Sequence, residues 1–176
     1  MSSPKVFDTE VLPHLDAAYN LARWLVRDAD VAEDLVQDAC VRAFRHFASF
    51  RGGSARPWLL GIVRNTCFSW LEEQQRRPGH MPFDEELLDT LAADAPTASD
   101  PGAALDTQRL GRSIDAAIRA LAPAFREVIV LREIEGLGYG EIAQIAAIPI
   151  GTVMSRLARA RAHLRSALAE ASGKTG

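Results

Sequence analysis

A strongly acidic segment divides the chain near its middle. Residues 79–107 contain seven Asp or Glu residues and no Lys or Arg. Four prolines fall in or next to this segment and oppose a packed helix running through it: Pro78, Pro82, Pro96 and Pro101. The composition predicts a flexible linker over residues 79–107, with one domain before it (1–78) and one after it (108–176).

Helical periodicity dominates the first domain. Apolar residues recur every three or four positions over Val6–Val26, which predicts one helix with Pro13 in its first turn. Asp30 is the predicted N-cap of a second helix, with Glu33 as its capping-box partner. The apolar side of that helix is predicted to include Phe44. A third helix is expected to begin at Pro57.

The second domain shows the same periodicity. Helices are predicted from Gln108 to Ala122, with Leu110 facing inward, and from Pro123 onward. A short apolar helix over 140–147, a tight interruption over 148–151 and a longer basic helix from Thr152, an N-cap type of residue, follow. This order is typical of a helix-turn-helix, and the whole chain is predicted to be all-α.

The last predicted helix has one apolar side and one polar side. Its polar side is suited to the major groove of DNA, where Arg binds guanine and Ser or Thr contacts bases or phosphates. The predicted DNA contacts are Thr152, Ser155, Arg156, Arg159 and His163. For an isolated helix, a solvated surface would be the favoured explanation of the arginines, but the preceding helix and turn reverse this preference and favour DNA binding.

Two sets of motifs resemble the extracytoplasmic-function (ECF) sigma factors of the sigma-70 family. The sequences of residues 139–143, 148–153 and 155–161 resemble region four of that family. The sequences of residues 32–39, 50–53 and 58–65 resemble region two. Both signatures occur in the family's order, with a linker between them.

The resemblance implies a dissociable subunit of bacterial RNA polymerase that has no catalytic residues and needs no cofactor. The expected partners are core RNA polymerase, through the beta-prime clamp coiled coil and the beta flap, promoter DNA and an anti-sigma factor. From the positions that match region two of the family, the expected polymerase contacts are Asp34, Gln37, Asp38, Arg42 and Arg45. A solvated helix face is the alternative interpretation of these five residues.

Region two of the family also binds the single-stranded minus-ten element. Aromatic pockets and basic side chains hold bases that have left the stack. The expected minus-ten contacts are Phe50, Arg51, Arg56, Arg64 and Asn65. Trp58 and Trp70 lie at helical core spacing, which favours packing over base stacking.

Several positions depart from the family pattern. Met154 stands where many members carry Arg, Ala158 where many carry a larger side chain, and Ala147 where glycine is frequent. The loop from Phe50 to Trp58 is also short. The promoter preference of other members is therefore not transferable to this chain.

Three other classes of function remain as alternatives. One is a sigma-like decoy that binds an anti-sigma factor but no promoter, and another is a simple helix-turn-helix repressor. An enzyme is the poorest alternative, because the four histidines are dispersed and no nucleophile or phosphate-binding motif is present. No apolar stretch is long enough for a membrane helix and no secretory signal is visible, so a cytoplasmic protein is expected.

Overall fold

The computed structural model describes residues 4–79 and 103–173, and every regular element in these two ranges is helical. Most of the predicted linker, residues 80–102, lies outside the described residues. The first half contains α1 (Pro4–Val11), α2 (Leu15–Val26), α3 (Ala29–His46) and α4 (Ala55–Arg76). The second half contains α5 (Ala103–Ala120), α6 (Pro123–Ile129), α7 (Tyr139–Ala146) and α8 (Ile150–Gly173). The all-α prediction is confirmed.

Three helix starts in the first half differ from the prediction. A 3-10 turn at Leu12–His14 interrupts the single helix expected over Val6–Val26, because Pro13 has no N–H to continue an α-helix. Asp28, not Asp30, caps α3, and its carboxylate accepts the backbone N–H groups of Asp30 and Val31, both at 3.0 Å. Helix α4 begins two residues before Pro57.

The second half departs from the prediction in two places. Helix α5 begins at Ala103, so the last residues of the segment 79–107 are helical. Helix α8 begins at Ile150, and the carbonyl of Pro149 accepts the N–H groups of Thr152 at 3.0 Å and Val153 at 3.1 Å. Thr152 therefore lies inside the first turn of α8 and is not its N-cap.

The two halves pack against each other along two helix pairs. Helix α4 contacts α7, and α2 contacts α6. The buried apolar residues of both halves form one connected cluster, which includes Leu21 and Leu59 from the first half and Val128 and Ile142 from the second. Burial of apolar area of this kind is the main stabilising contribution in a small helical domain.

Two apolar residues predicted to face inward are exposed instead. The side chain of Phe44 is 53% exposed, although its ring makes an edge contact with Phe7 at 5.2 Å. Leu110 in α5 is 52% exposed. Phe44 lies at the border of the apolar side of α3. Leu110 is in line with buried Ile118 and Leu121, but it lies in the N-terminal part of α5, where no described side chain is buried, and periodicity does not show where along a helix the core ends.

Candidate nucleic-acid interface

Helix α8 exposes one continuous stripe of side chains. Its opposite side is anchored in the core by Val153, Leu157 and Ala160, each at most 1% exposed. The exposed positions recur in pairs every four residues, as expected for one face of an α-helix. Over residues 150–162 they are Ile150, Gly151, Met154, Ser155, Ala158, Arg159 and Ala162. This pattern defines the recognition stripe of α8.

The five DNA contacts predicted on α8 fall into two groups. Ser155 and Arg159 lie on the recognition stripe, whereas Thr152, Arg156 and His163 are partly buried beside it. The guanidinium of Arg159 lies 5.1 Å from the ring centroid of Phe125, which orients its side chain. Only the first group presents an exposed side chain on the stripe.

Arg156 is committed to a contact inside the protein. Its Nη1 lies 3.9 Å from Oε1 of Glu127, a carboxylate with no exposed surface. The side chain of Arg156 is only 23% exposed. This contact links α8 to α6, and the part of Arg156 in reading bases stays a prediction.

The turn before α8 is held by specific backbone geometry. Glu141 accepts the N–H of Gly138 at 2.9 Å, which caps the start of α7. Ala147 ends α7 in the left-handed region, with φ of 54°. Glycine is favoured at such a position because an L-residue with a Cβ is strained there.

Helix α3 exposes a second candidate surface, in the first half. The five predicted polymerase contacts, Asp34, Gln37, Asp38, Arg42 and Arg45, are all exposed. Val41 and Phe44 lie among them, 50% and 53% exposed. The surface therefore combines charge with apolar area, as protein interfaces do.

A shallow cavity of about 260 Å³ opens between α3 and α4, and its lining includes Trp58 and Ile62. Two predicted contacts, Arg42 and Asn65, also line it. Here a polar amide and a guanidinium face an indole ring. Such a combination suits a flat, polar-edged ligand such as a nucleobase.

The loop beside this cavity is held by aromatic packing. The ring of Phe50 stacks on Phe47 at 5.7 Å and contacts Trp58 at 5.1 Å between ring centroids. Phe50 therefore supports the loop, while Arg51 next to it is exposed. Gly52 and Gly53 both have positive φ, 85° and 89°, which allows the chain to turn into α4.

The other two predicted minus-ten arginines contact the second half of the chain. Arg56 donates from Nη2 to the carboxylate of Glu135 at 2.8 Å and to the backbone carbonyl of Glu135 at 2.9 Å. Arg64 donates to both oxygens of Glu127, from Nε at 2.8 Å and from Nη2 at 3.1 Å. In this arrangement their guanidinium groups bind carboxylates of the other half.

Glu127 contacts one arginine from each of the two candidate DNA surfaces. Arg64 approaches it from α4 and Arg156 approaches it from α8. Burial raises the pKa of the Glu127 carboxyl above its ordinary value, while the hydrogen bond and charge of Arg64 and the charge of Arg156 act in the opposite direction. A buried carboxylate is tolerated here because it is paired on both sides.

A second buried charge joins α6 to α2. The guanidinium of Arg126 donates to the carbonyl of Arg119 at 2.8 Å and to the carbonyl of Leu25 at 3.1 Å. Burial and the nearby positive charges of Arg27 and Arg119 lower the pKa of Arg126 to about 10. Hydrogen bonds to two carbonyls offset part of the cost of burying this charge, while the Nε of Arg126 is buried without a hydrogen-bond partner among the described residues.

Sequence analysis missed two groups of residues. Arg126 and Glu127 were not singled out, although a charged pair inside the apolar run from Phe125 to Leu131 is a signal for buried pairing. The second group consists of two residues of the recognition stripe, Ile150 and Gly151. Both lie in the interruption predicted over residues 148–151, so they were placed outside the recognition helix.

Comparison with known families accounts for both halves. Residues 11–77 match the family Sigma-70 region 2, and residues 111–164 match Sigma-70, region 4. The ECF RNA polymerase sigma-E factor of Escherichia coli is 35% identical over 160 residues, which cover 89% of this chain and 83% of that protein. This chain belongs to the ECF sigma factor family.

Other relatives agree with this assignment. The RNA polymerase sigma-H factor of Pseudomonas aeruginosa is 33% identical over 93% of this ECF sigma factor and 86% of its own length. The ECF RNA polymerase sigma factor SigE of Mycolicibacterium smegmatis is 35% identical over 96% of the chain, which spans 64% of that longer relative.

Two solved structures resemble the fold of this ECF sigma factor. One is the sigma factor RpoE of Bartonella quintana in complex with the anti-sigma factor NepR, with a TM-score of 0.69, 32% identity, and coverage of 93% of this chain and 97% of that one. The other is CnrH in complex with the cytosolic domain of CnrY, with a TM-score of 0.64 and 26% identity over 97% and 91% of the two chains.

Two types of feature are absent from the described residues of this ECF sigma factor. No helix in ranges 4–79 and 103–173 combines the length and apolar character that crossing a membrane requires. No group of His, Cys, Asp or Glu in the same ranges is arranged to hold a metal ion.

Proposed function

We propose that this ECF sigma factor binds core RNA polymerase and directs it to specific promoters without a catalytic step of its own. The observation that carries the proposal is the exposed recognition stripe of α8, on a helix that follows the turn of a helix-turn-helix. The presence of both sigma regions in one chain supports the same conclusion. Since bacterial RNA polymerase works in the cytoplasm, the protein would act there.

The exposed face of α3 is the proposed surface for polymerase. Asp34, Gln37 and Asp38 lie beside exposed Val41 and Phe44, so a partner can be bound by burial of apolar area and by charge. The partner proposed for this face is the beta-prime clamp coiled coil, and that proposed for the second half is the beta flap.

The cavity between α3 and α4 is the proposed site for a minus-ten base. Trp58 supplies an aromatic wall and Asn65 supplies hydrogen-bond donors and an acceptor for the edge of a base. Arg51 is exposed in the adjoining loop and is positioned to bind the phosphate backbone. Phe50 acts indirectly, by holding the loop against Phe47 and Trp58.

The recognition stripe of α8 is the proposed reader of the minus-thirty-five element. Arg159 is the proposed base or phosphate contact with the largest effect, and Ser155 is a second. Thr152 and His163, at the side of the stripe, are proposed phosphate contacts. Arg156 is proposed to act by positioning α8 through Glu127.

The contacts between the halves suggest how the protein is kept inactive. The Nη2 of Arg56 and the Nε and Nη2 of Arg64 donate to Glu135 and Glu127, so these N–H groups are not available to DNA phosphates in this arrangement. We therefore propose that promoter melting requires separation of the halves, and that an anti-sigma factor favours the arrangement in which they are together. The solved complex of the similar sigma factor RpoE with the anti-sigma factor NepR is consistent with this proposal.

The test is run-off transcription with core polymerase that lacks sigma. Wild-type protein is added to genomic promoter fragments and the transcript starts are sequenced, with Arg159→Glu and the matched charge reversal Arg165→Glu in parallel. We expect discrete starts that share two spaced motifs, and we expect Arg159→Glu to abolish them while core binding remains. If another sigma factor starts this core polymerase but the wild-type chain does not, the proposal is wrong and the decoy becomes the better interpretation.

A further inference from the structure

Two large apolar side chains lie on the recognition stripe of α8. Ile150 and Met154 are one helical turn apart, 50% and 53% exposed, and outside the core. Within the described residues neither side chain belongs to the core, so core packing does not explain so much exposed apolar area at this place. Their position, next to Ser155 and Arg159, makes them part of the surface that would face DNA.

The charge of the helix indicates what kind of molecule covers this pair. Helix α8 contains four arginines and one acidic residue, Glu170, near its far end. Two of the arginines are paired, Arg156 with Glu127 and Arg161 with Glu133, and the other two, Arg159 and Arg165, are exposed. Such a helix attracts a polyanion more strongly than it attracts an uncharged apolar peptide. The major groove of DNA combines the two properties required, because its phosphates are anionic and the C5-methyl group of thymine is an apolar feature of its base edges.

Gly151 is consistent with close approach of the same surface. A Cβ added at this residue would meet no atom within 4 Å, so packing inside the protein does not require glycine there. Glycine in the first turn of a helix lets a ligand approach the backbone more closely than any other residue does.

We propose that Ile150 and Met154 select thymine in the minus-thirty-five element by packing on thymine methyl groups. The inference rests on the proposed function and names the base that this part of the recognition stripe reads. Arg159 and Ser155 supply polar contacts, and the apolar pair supplies discrimination that depends on the methyl group alone. The arrangement differs from the arginine that many family members carry at the position of Met154.

Deoxyuridine tests the proposal because it differs from thymidine only by the missing methyl group. Each thymine of a minus-thirty-five element, found by the mapping of transcript starts, is replaced in turn by deoxyuridine, and binding of the holoenzyme is measured. We expect a loss of about fourfold in affinity at one or two positions, the value for one buried methyl group. Replacement of a thymine in the spacer serves as the DNA control.

Two variants identify the side chains responsible. Ile150→Ala and Met154→Ala should each weaken binding to the natural promoter and abolish the sensitivity to deoxyuridine at one position. Leu110→Ala is the matched protein control, since Leu110 is 52% exposed in the same half but lies on α5. It should bind as the wild type does and keep the full sensitivity.

The failures of the two proposals are distinguishable. One result would overturn this inference and leave the proposed function intact. In that result, discrete transcript starts are found, but no deoxyuridine in the minus-thirty-five element lowers the affinity of the holoenzyme. The same holds if the alanine variants keep the wild-type sensitivity, or if they weaken binding to core polymerase instead. Absence of discrete starts would overturn both.

Discussion

The two candidate DNA surfaces of this sigma factor differ in what their arginines already bind. On α4, Arg56 and Arg64 are held by carboxylates of the other half, and the side chain of Arg64 is 18% exposed. On α8, Arg159 is exposed and lies on a stripe that also carries Ser155. The second half therefore presents Arg159 and Ser155 to DNA in the described arrangement, whereas Arg56 and Arg64 of the first half would first have to give up their ion pairs.

The largest effect is expected at Glu127, where the two surfaces share one carboxylate. Glu127→Gln removes the negative charge that compensates Arg64 and Arg156, and breaking a buried ion pair costs about 3 to 5 kcal/mol. Urea unfolding followed by circular dichroism measures the loss. Glu135→Gln is the control, because its partner Arg56 is 30% exposed, and it should cost about 1 kcal/mol. Equal losses for the two variants would show that burial of Glu127 does not matter.

The next prediction separates two arginines on α8. Arg159→Ala should lower the affinity of the holoenzyme for its promoter by about 10- to 100-fold, the cost of one lost base contact. Arg156→Ala should instead lower the free energy of unfolding by about 1 to 3 kcal/mol, since Glu127 loses a partner. Promoter binding by electrophoretic mobility shift and thermal unfolding are measured on both. The reverse pattern would assign base reading to Arg156 and contradict its positioning role.

A smaller effect is expected where Arg56 joins the halves. Arg56→Ala removes two hydrogen bonds to Glu135 and should weaken the contact by about 1 kcal/mol. Amide hydrogen exchange in the first turn of α4 and over 135–146 should then become about fivefold faster. Arg51→Ala, an exposed arginine five residues earlier, should leave exchange unchanged. Unchanged exchange in Arg56→Ala would mean that this pair does not hold the halves together.

The smallest effect concerns the turn that positions the recognition stripe. Ala147→Gly relieves the strain of a left-handed residue with a Cβ and should raise the free energy of unfolding by about 0.5 to 1 kcal/mol. Gln144→Gly in the middle of α7 should lower it by about 0.5 kcal/mol, because glycine is a poor helix former. If both variants stabilise the protein, relief of backbone strain at residue 147 is not the explanation.

Helical periodicity and local motifs were enough to predict most helices and the helix-turn-helix. They did not locate every helix start, because a cap depends on which side chain reaches which N–H. Asp28 and Asp30 are both good caps by type, and only the backbone geometry of Asp28 places its carboxylate on the two N–H groups of the first turn.

The residues of the candidate sites were predicted from their type and spacing. Whether each side chain is exposed depends on how its helix is oriented in the fold. Ser155 and Arg159 lie on the exposed stripe, but Thr152 and Arg156 are partly buried although they belong to the same helix. A small rotation of α8 about its axis decides this difference, and the rotation is determined by the packing of Val153 and Leu157 into the core. The sequence does not specify that angle precisely.

The all-α class, the order of the helices and the family could be predicted from the sequence, because periodicity, capping and short motifs are local properties of the chain. The contacts of Arg64 and Arg156 with Glu127, and of Arg56 with Glu135, became visible only in the folded protein. Those pairs join residues far apart in the chain, and the burial that makes Glu127 bind both arginines arises only when α4, α6 and α8 pack together.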